Sequence, residues 1–474
     1  MIIDLHVLQN FAPSNLNRDE TGAPKECEFG GQRRARISSQ SFKRAIRTQF
    51  RASGLIDPAH LAERTKRAAG EITQRVVAAG KPPETARQVV EALLGAVRLD
   101  VFDGKTRYLL FLSARELQAA ADLCVRHWDT LTEAIGPGIG PGSGSDGGGG
   151  ATQPEEEDET AGAAGTATRG RRGARASEAS RKGRAIPAEL RSAFERLLDG
   201  GQAVDMALFG RMIADLPDRN VEAACQVAHA LSTHRVSMEF DFFTAVDDLR
   251  PDDTAGADML GTVEYTSACF YRYANLDTRQ LAQNLRNDTL ARAGVESFLR
   301  AFVTAIPSGH QHSMAAHNPP SFVLAVARDR GQWNLANAFL TPVLPRSASA
   351  SASQVNQMNL MQASIQALAT YWSRLSAMYP TPLAGVWLAT TEPEALGDLA
   401  PQQVPSLDAL IAAVLTTVER EGGLDATAGD NAAGAALGFA PAGLDELLTT
   451  PDPASPASGG LSPQQSGGST GGRV

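Results

Sequence analysis

Residues 2 to 8 alternate. Ile3, Leu5 and Val7 fall on one face and Asp4 and His6 on the other, the period-two pattern of an opening β-strand. A polar stretch from Pro13 to Glu28 follows and ends at the turn signal Gly30-Gly31. Arg33 to Ile37 predicts a second, short extended segment. Ser38 and Ser39 then offer an N-cap to a helix from about Gln40 to Ala52, closed by Gly54. Within that helix Phe42, Ile46 and Phe50 recur every four residues and define one apolar face.

The remaining pattern is mixed. Residues 56–134 read as largely helical, 187–199 as a helix and 203–213 as a buried strand running into a turn. A helix with an Ala-rich face is predicted over 221–234, helical structure over 277–304 and a helix over 360–378. Short apolar strands are predicted at 320–327 and Leu383 to Ala389. Phe240 to Leu249 and the alternating run Leu260 to Tyr273 bracket a loop rich in Asp and Gly, which predicts a long hairpin excursion. Two stretches carry almost no large apolar side chain. Residues 136–184 are Gly-rich, then acidic at Glu155 to Glu159, then basic; from Gly423 onward the chain is rich in Ala, Gly, Pro and Ser. Neither buries enough surface to offset the entropy of ordering, so both are expected to be disordered.

Composition narrows the class. The 474 residues are 43% apolar and 20% charged, as in a water-soluble globular chain with one large inserted domain or two to three domains. No apolar run approaches the ~20 residues that span a bilayer, and the N-terminus has no secretory pattern, so a cytoplasmic location without membrane partners is expected. Cys27, Cys124, Cys225 and Cys269 are scattered with no CxxC pair, which suggests neither a zinc ribbon nor a disulfide framework. No phosphate loop, dinucleotide fingerprint or nucleophile elbow is present. No metal, cofactor or catalytic residue is assigned.

The net charge of −9 argues against a nucleic-acid partner until its distribution is considered. Residues 33–51 hold seven basic side chains and no acidic one. Lys43, Arg47 and Arg51, four apart, form a ridge beside the apolar face of the predicted helix. Ser38, Ser39 and Gln40 sit at its N-terminus, where free N–H groups and the positive dipole end favour a phosphate. Arg34 and Arg36 alternate on the preceding strand and point the same way. The set suits a grip on a phosphodiester backbone without base reading; the alternative is a solvated amphipathic helix with a basic face. Asp247-Asp248 reads either as a turn-forming, helix-capping acidic pair or as a Mg²⁺-binding pair that cleaves RNA. His310, His312 and His317 have ligand-like types but no acidic or cysteine neighbour, and read as a solvated loop. His229 and His234 read as capping or packing residues at a helix end.

Longer motifs add a resemblance. His6-Val7-Leu8, Asn17-Arg18-Asp19 and Phe29 to Ala45 open the set; Gly210-Arg211-Met212, Ala228-His229-Ala230, Thr233-His234, Asp241 to Leu249 and Phe270 to Asn275 follow in order. Together they resemble the CasC-type backbone subunits of the type I-E CRISPR surveillance complex, Cascade, over roughly residues 1–423. The resemblance implies an α+β fold: an RRM-like (ferredoxin-like) palm with a helical fingers insertion and a β-hairpin thumb. On that division the palm takes 1–55, 201–234 and 269–423, the fingers 56–200, the thumb 235–268, and 424–474 is a tail.

It further implies a non-enzymatic, guide-RNA-binding subunit that stacks head to tail with copies of itself and joins other Cascade subunits. Target DNA pairs with the exposed guide bases, and a separate recruited nuclease-helicase does the cutting. Carried over residue by residue, the RNA-binding set is Arg18, Lys25, Arg34, Arg36, Ser38, Ser39, Gln40, Lys43, Arg44, Arg47 and Arg211. Met212 and Leu260 match apolar wedges beside displaced bases. Arg181, Lys182, Arg184 and Arg191 match a basic stretch that meets target DNA. The 136–184 insertion and the tail after 423 are longer than the family pattern.

Overall fold

The computed structural model describes residues 1–136, 186–244, 260–344 and 358–422. The segments expected to be disordered lie, Gly136 excepted, outside them.

In chain order, β1 (Ile2–Ser14) leads to β2 (Glu26–Phe29) and β3 (Gln32–Ile37), then α1 (Ser39–Ala52). A helical region follows: β4 (Ala62–Thr65), α2 (Ala68–Ala78), α3 (Pro83–Ala96), β5 (Val101–Phe102), β6 (Lys105–Thr106), β7 (Leu110–Ser113), α4 (Ala114–Arg126), α5 (Trp128–Ile135) and α6 (Ala188–Leu197). Next come α7 (Val204–Phe209), β8 (Cys225–Val227), β9 (Ala230–Ser232), β10 (Glu239–Thr244) and β11 (Leu260–Asp277). The chain continues through α8 (Thr278–Leu285), α9 (Asp288–Thr304), α10 (Gln311–Met314), β12 (Phe322–Arg328), α11 (Leu360–Met378), β13 (Gly385–Thr390) and α12 (Leu407–Gly422).

An antiparallel sheet organises these elements in the order β13-β12-β1-β11-β9-β3-β2, with β8 and β10 also pairing with β11. β1 is central, paired with β12 from Ile2↔Arg328 and with β11 from Ile2↔Asp277. Ile3, Leu5, Val7 and Phe11 pack on one face against Phe42, Ile46 and Phe50 of α1, Phe298 and Phe302 of α9, and Val414 of α12. Burying each such side chain contributes about 1.5–3 kcal/mol. Helices also cover the second face: Leu8, Tyr271, Tyr273 and Leu324 pack under Ile365, Leu368 and Trp372 of α11. The alternation in β1 therefore separates two buried layers, not core from solvent.

That second layer explains Asp4 and His6. Both are fully buried. Asp4 Oδ1 accepts the Tyr273 hydroxyl at 2.8 Å, and its Oδ2 accepts the Trp333 N–H at 3.3 Å and lies 3.3 Å from Arg328 Nε. Burial still pushes its pKa up to about 6. His6 Nδ1 meets the Tyr271 hydroxyl at 2.9 Å, whose oxygen accepts the Leu335 N–H. Burial, helped by Arg328, lowers His6 to about 3, so the ring is neutral.

Several predicted elements hold: β1, β3, α1, α6, β12, α11 and β13 lie where the pattern places them, and β10 pairs with β11 as the expected hairpin. Gly30 and Gly31, at φ 61° and 70°, form the two-residue turn that joins Phe29 to Gln32. Two expectations are corrected. The apolar run 203–213 contains a buried helix, α7, because an unbroken short apolar run fits either element. The Ala-rich 221–234 region forms β8 and β9, drawn into strands by pairing with β11 and β3. Within 277–304, a left-handed Arg286 and the N-cap of Asn287 split the helix in two. Among the described residues, no helix is long and apolar enough to cross a membrane.

Candidate nucleic-acid interface

The start of α1 is the organising feature. Ser38, in extended conformation, caps it: its hydroxyl accepts the Ser41 N–H at 3.3 Å. The Ser38 N–H in turn donates to the Asn17 side chain at 2.7 Å. This leaves the N–H groups of Ser39 and the exposed Gln40 at the open, positive end of a helix with no acid in its first turn.

The polar loop 15–25 is laced to this helix start by its backbone. The Lys25 N–H donates to the Asn17 carbonyl and the Arg36 N–H to the Lys25 carbonyl, both at 2.9 Å. The Asn15 amide donates to the carbonyls of Gly22 and Glu264 at 2.9 and 3.0 Å. Gly309 closes the other side; a Cβ there would lie 2.4 Å from the Leu16 carbonyl oxygen, so only glycine permits the approach. Between these segments and α1 lies a cleft of about 720 Å³ lined by Arg18, Asp19, Glu20, Ser41 and Arg44. Arg18 is exposed and donates to His310 Nε2 at 3.3 Å; Arg44 is exposed.

A second cationic group lies beside it. Arg36 is half-buried and reaches the Glu26 carbonyl at 3.3 Å and His229 Nδ1 at 3.2 Å. Burial first, then the charges of Arg36 and Lys25, lower the His229 pKa. His229 is exposed in the turn between β8 and β9, not at the end of a helix. Sequence reasoning gave it no place here, because only the β3–β9 pairing brings it to Arg36. Lys43, half-buried, sets its ammonium 5.8 Å from the Phe209 ring centroid. Three residues on, Met212 is 79% exposed.

Three arginines of the predicted set are placed inward. Arg34 is fully buried and donates to the carbonyls of Ser232 at 3.0 Å and Phe339 at 2.7 Å. Arg47 pairs with buried Asp205 at 3.0 Å, donates to the Ala62 carbonyl and stacks 4.4 Å over Phe111. Arg211 is buried against Glu116 at 2.6 Å. Arg51 pairs with Glu63 at 2.9 Å. Of the predicted Lys43–Arg47–Arg51 ridge, only Lys43 lacks an acidic partner among the described residues.

Leu260 opens β11 opposite Thr244. Arg191 is exposed on the first turn of α6, lining a small cavity with Arg98, Asp215 and Arg219. Arg181, Lys182 and Arg184 lie outside the described residues, as do Asp247 and Asp248. Among the described residues, no three His, Cys, Asp or Glu side chains are grouped to hold a metal ion.

Comparison with known proteins fits this picture. The chain is similar to one in a solved "CRISPR RNA-guided surveillance complex, pre-nicking", with 27% identity and a TM-score of 0.67 over 88% of this chain and 99% of the other. It shares its fold with a chain of another "CRISPR RNA-guided surveillance complex", at 24% identity and a TM-score of 0.59, over 87% of this chain and all of the other. No curated protein matches it. The model of the CT1975-like protein family matches residues 3–413, and the chain therefore belongs to that family.

Proposed function

We propose that this chain is the guide-RNA-binding backbone subunit of a type I-E CRISPR surveillance complex, stacking head to tail with copies of itself along the RNA. The observation that carries the reading is the surface around the start of α1. Arg18, Lys25, Arg36, Lys43 and Arg44 surround an open helix N-terminus, and none of them has an acidic partner among the described residues. Family membership and the likeness to chains of CRISPR RNA-guided surveillance complexes support it.

The grip follows from the geometry. Phosphates accept from the N–H groups of Ser39 and Gln40 and are neutralised by the five cations, which leaves base edges uncontacted. Met212 wedges against a displaced base, and a flexible thioether suits a surface that every base presents. Leu260 on the β10–β11 hairpin is the second wedge. Guide bases between wedges remain free to pair with target DNA, and we assign the exposed Arg191 to contact with it. We read the subunit as cytoplasmic and non-catalytic, with target cutting left to a recruited nuclease-helicase and the other subunits completing the complex.

Charge reversal at Lys43 and Arg44 tests the grip. For single strands the log–log salt slope is about −0.7 per phosphate neutralised, so ~5 contacts give roughly −3 to −4 per subunit. Lys43→Glu with Arg44→Glu should abolish RNA retention while leaving the thermal midpoint within a degree or two of wild type. RNA retained with an unchanged slope overturns the assignment. RNA cut on incubation with Mg²⁺, and left intact by Asp247→Ala, would instead establish the nuclease reading.

A further inference from the structure

We propose that Arg211 is a positioning residue: with Glu116 and Tyr108, it fixes the height and direction of the Met212 wedge, so the helical region takes part in displacing the base. This rests on the reading of Met212 as a base wedge.

Met212 stands between two buried neighbours. It is 79% exposed, whereas Arg211 is 5% and Ile213 1% exposed. Its loop is closed at the base by paired backbone bonds, Arg211 N–H to Val221 carbonyl and the reverse, both 2.9 Å. On the far side the Ile213 N–H donates to the Asn220 side chain at 2.6 Å. Gly210, at φ 78°, lets the chain turn into the loop, with Val221 and Ala223 pressed against it. The backbone under Met212 is therefore fixed on both sides, and only its side chain is free.

The Arg211 side chain then ties this loop to the helical region. Nη1 donates to Glu116 Oε1 at 2.6 Å and to the Phe111 carbonyl at 3.3 Å. Nη2 donates to the carbonyls of Leu198 at 2.9 Å and Arg219 at 3.0 Å. Glu116 is equally committed: the same Oε1 accepts the Gly200 N–H at 2.9 Å, and Oε2 accepts the Ser113 N–H at 2.7 Å in the capping box of α4. An independent tether comes from Tyr108, whose hydroxyl donates to Asp215 in the same loop. Apart from Arg219, each partner of the Arg211 guanidinium lies between residues 111 and 198, outside the main sheet.

Such a mount has a physical use. A wedge displaces a base only if its support yields less than the stack does. A loop left to move would spend the contact energy on its own ordering. Arg211 is suited to this where lysine is not, because only the planar fork reaches Glu116 and the carbonyls of Phe111, Leu198 and Arg219 together. Both its Nη atoms are committed, and its Nε, although unpartnered, is buried, so it has no exposed donor to offer a phosphate.

The test uses the complex assembled with its partner subunits on a guide RNA carrying 2-aminopurine at a displaced nucleotide, with a second label between wedges. Met212→Ala should drop the fluorescence of the displaced label to the stacked level. Arg211→Lys should lower it most of the way to the same level, leaving the label between wedges, RNA retention and the salt slope unchanged. Tyr108→Phe, which removes one hydroxyl and no charge, should give a smaller drop of the same kind and carries the test if Arg211→Lys does not fold. If Met212→Ala quenches the label but neither Arg211→Lys nor Tyr108→Phe does, the positioning role is wrong. A flatter salt slope in Arg211→Lys would also overturn it, by making Arg211 a phosphate contact. If Met212→Ala itself changes nothing, the wedge reading fails, and this inference with it.

Discussion

Replacing Arg47 by alanine separates a structural arginine from the cations that surround it in sequence. The Asp205 carboxylate is buried and accepts the Ala62 N–H at 2.8 Å and Arg47 Nε at 3.0 Å. Burial pushes its pKa up, and Arg47 is the main group pulling it back. Without Arg47 the buried carboxylate loses its main compensating charge, with only the charge of Arg51 left to offset burial, a loss of about 3 kcal/mol or more. At about 1–1.5 °C per kcal/mol for a chain of this size, the thermal midpoint should fall by about 3–7 °C. Arg44→Ala, at an exposed position with no ion pair among the described residues, should stay within about 0.5 kcal/mol. Scanning fluorimetry gives the midpoints, and RNA binding from low to high salt gives the slopes. The pair should therefore split: Arg47→Ala unstable with an unchanged slope, Arg44→Ala stable with a slope flatter by about 0.7. The reverse pattern, an unmoved midpoint with a flatter slope for Arg47→Ala, would refute this assignment of roles.

Two further outcomes follow from the fold. The Asp4–His6 layer predicts compensating titrations. Between about pH 4 and 6 the folded chain keeps Asp4 protonated and His6 neutral, while the unfolded chain has Asp4 ionised and His6 protonated. Each state then holds one proton on the pair, so its contribution to stability is flat there. Asp4→Asn leaves only the lowered His6, whose stabilisation is complete above pH 6.5 and is lost as pH falls, at up to ~1.4 kcal/mol per pH unit. His6→Gln leaves only the raised Asp4 and should reverse the sign, with stability falling as pH rises from 4 to 6. Matching slopes in both variants, measured by urea unfolding, would contradict the coupling. Separately, Gly309→Ala drives a Cβ into the Leu16 carbonyl, so that one of the two backbones must shift. It should displace the loop carrying Arg18 and weaken RNA retention in a filter-binding assay without removing a charge; unchanged binding would argue against the loop's role.

How far the sequence revealed these features depended on whether neighbours in the chain were also neighbours in space. Helix α1 was legible because its apolar face, cap and closing Gly54 all lie within 17 residues of one another. The basic cluster was legible as a cluster but not as a set of roles. Arg34 and Arg36 do share a strand face, yet Phe339 and Leu340 cover one while the other reaches His229. Arg47 belonged to a visible ridge, but its partner Asp205 lies 158 residues away. Local pattern misassigned α7 because a short apolar run fits helix or strand, and the β8–β9 region because long-range pairing overrode weak preferences; the latter error also hid His229. β1 was correctly a strand, but its polar face took a second helical layer that no local periodicity announces.

The central claim is tested most directly by the nucleic acid that the protein carries. It would be purified with its presumed partner subunits from cells supplying a CRISPR array, and the bound RNA extracted and sequenced. The account predicts a large assembly holding uniform, full-length guide RNA with repeat-derived ends. An assembly without RNA, or one holding only short cleaved fragments, would contradict it.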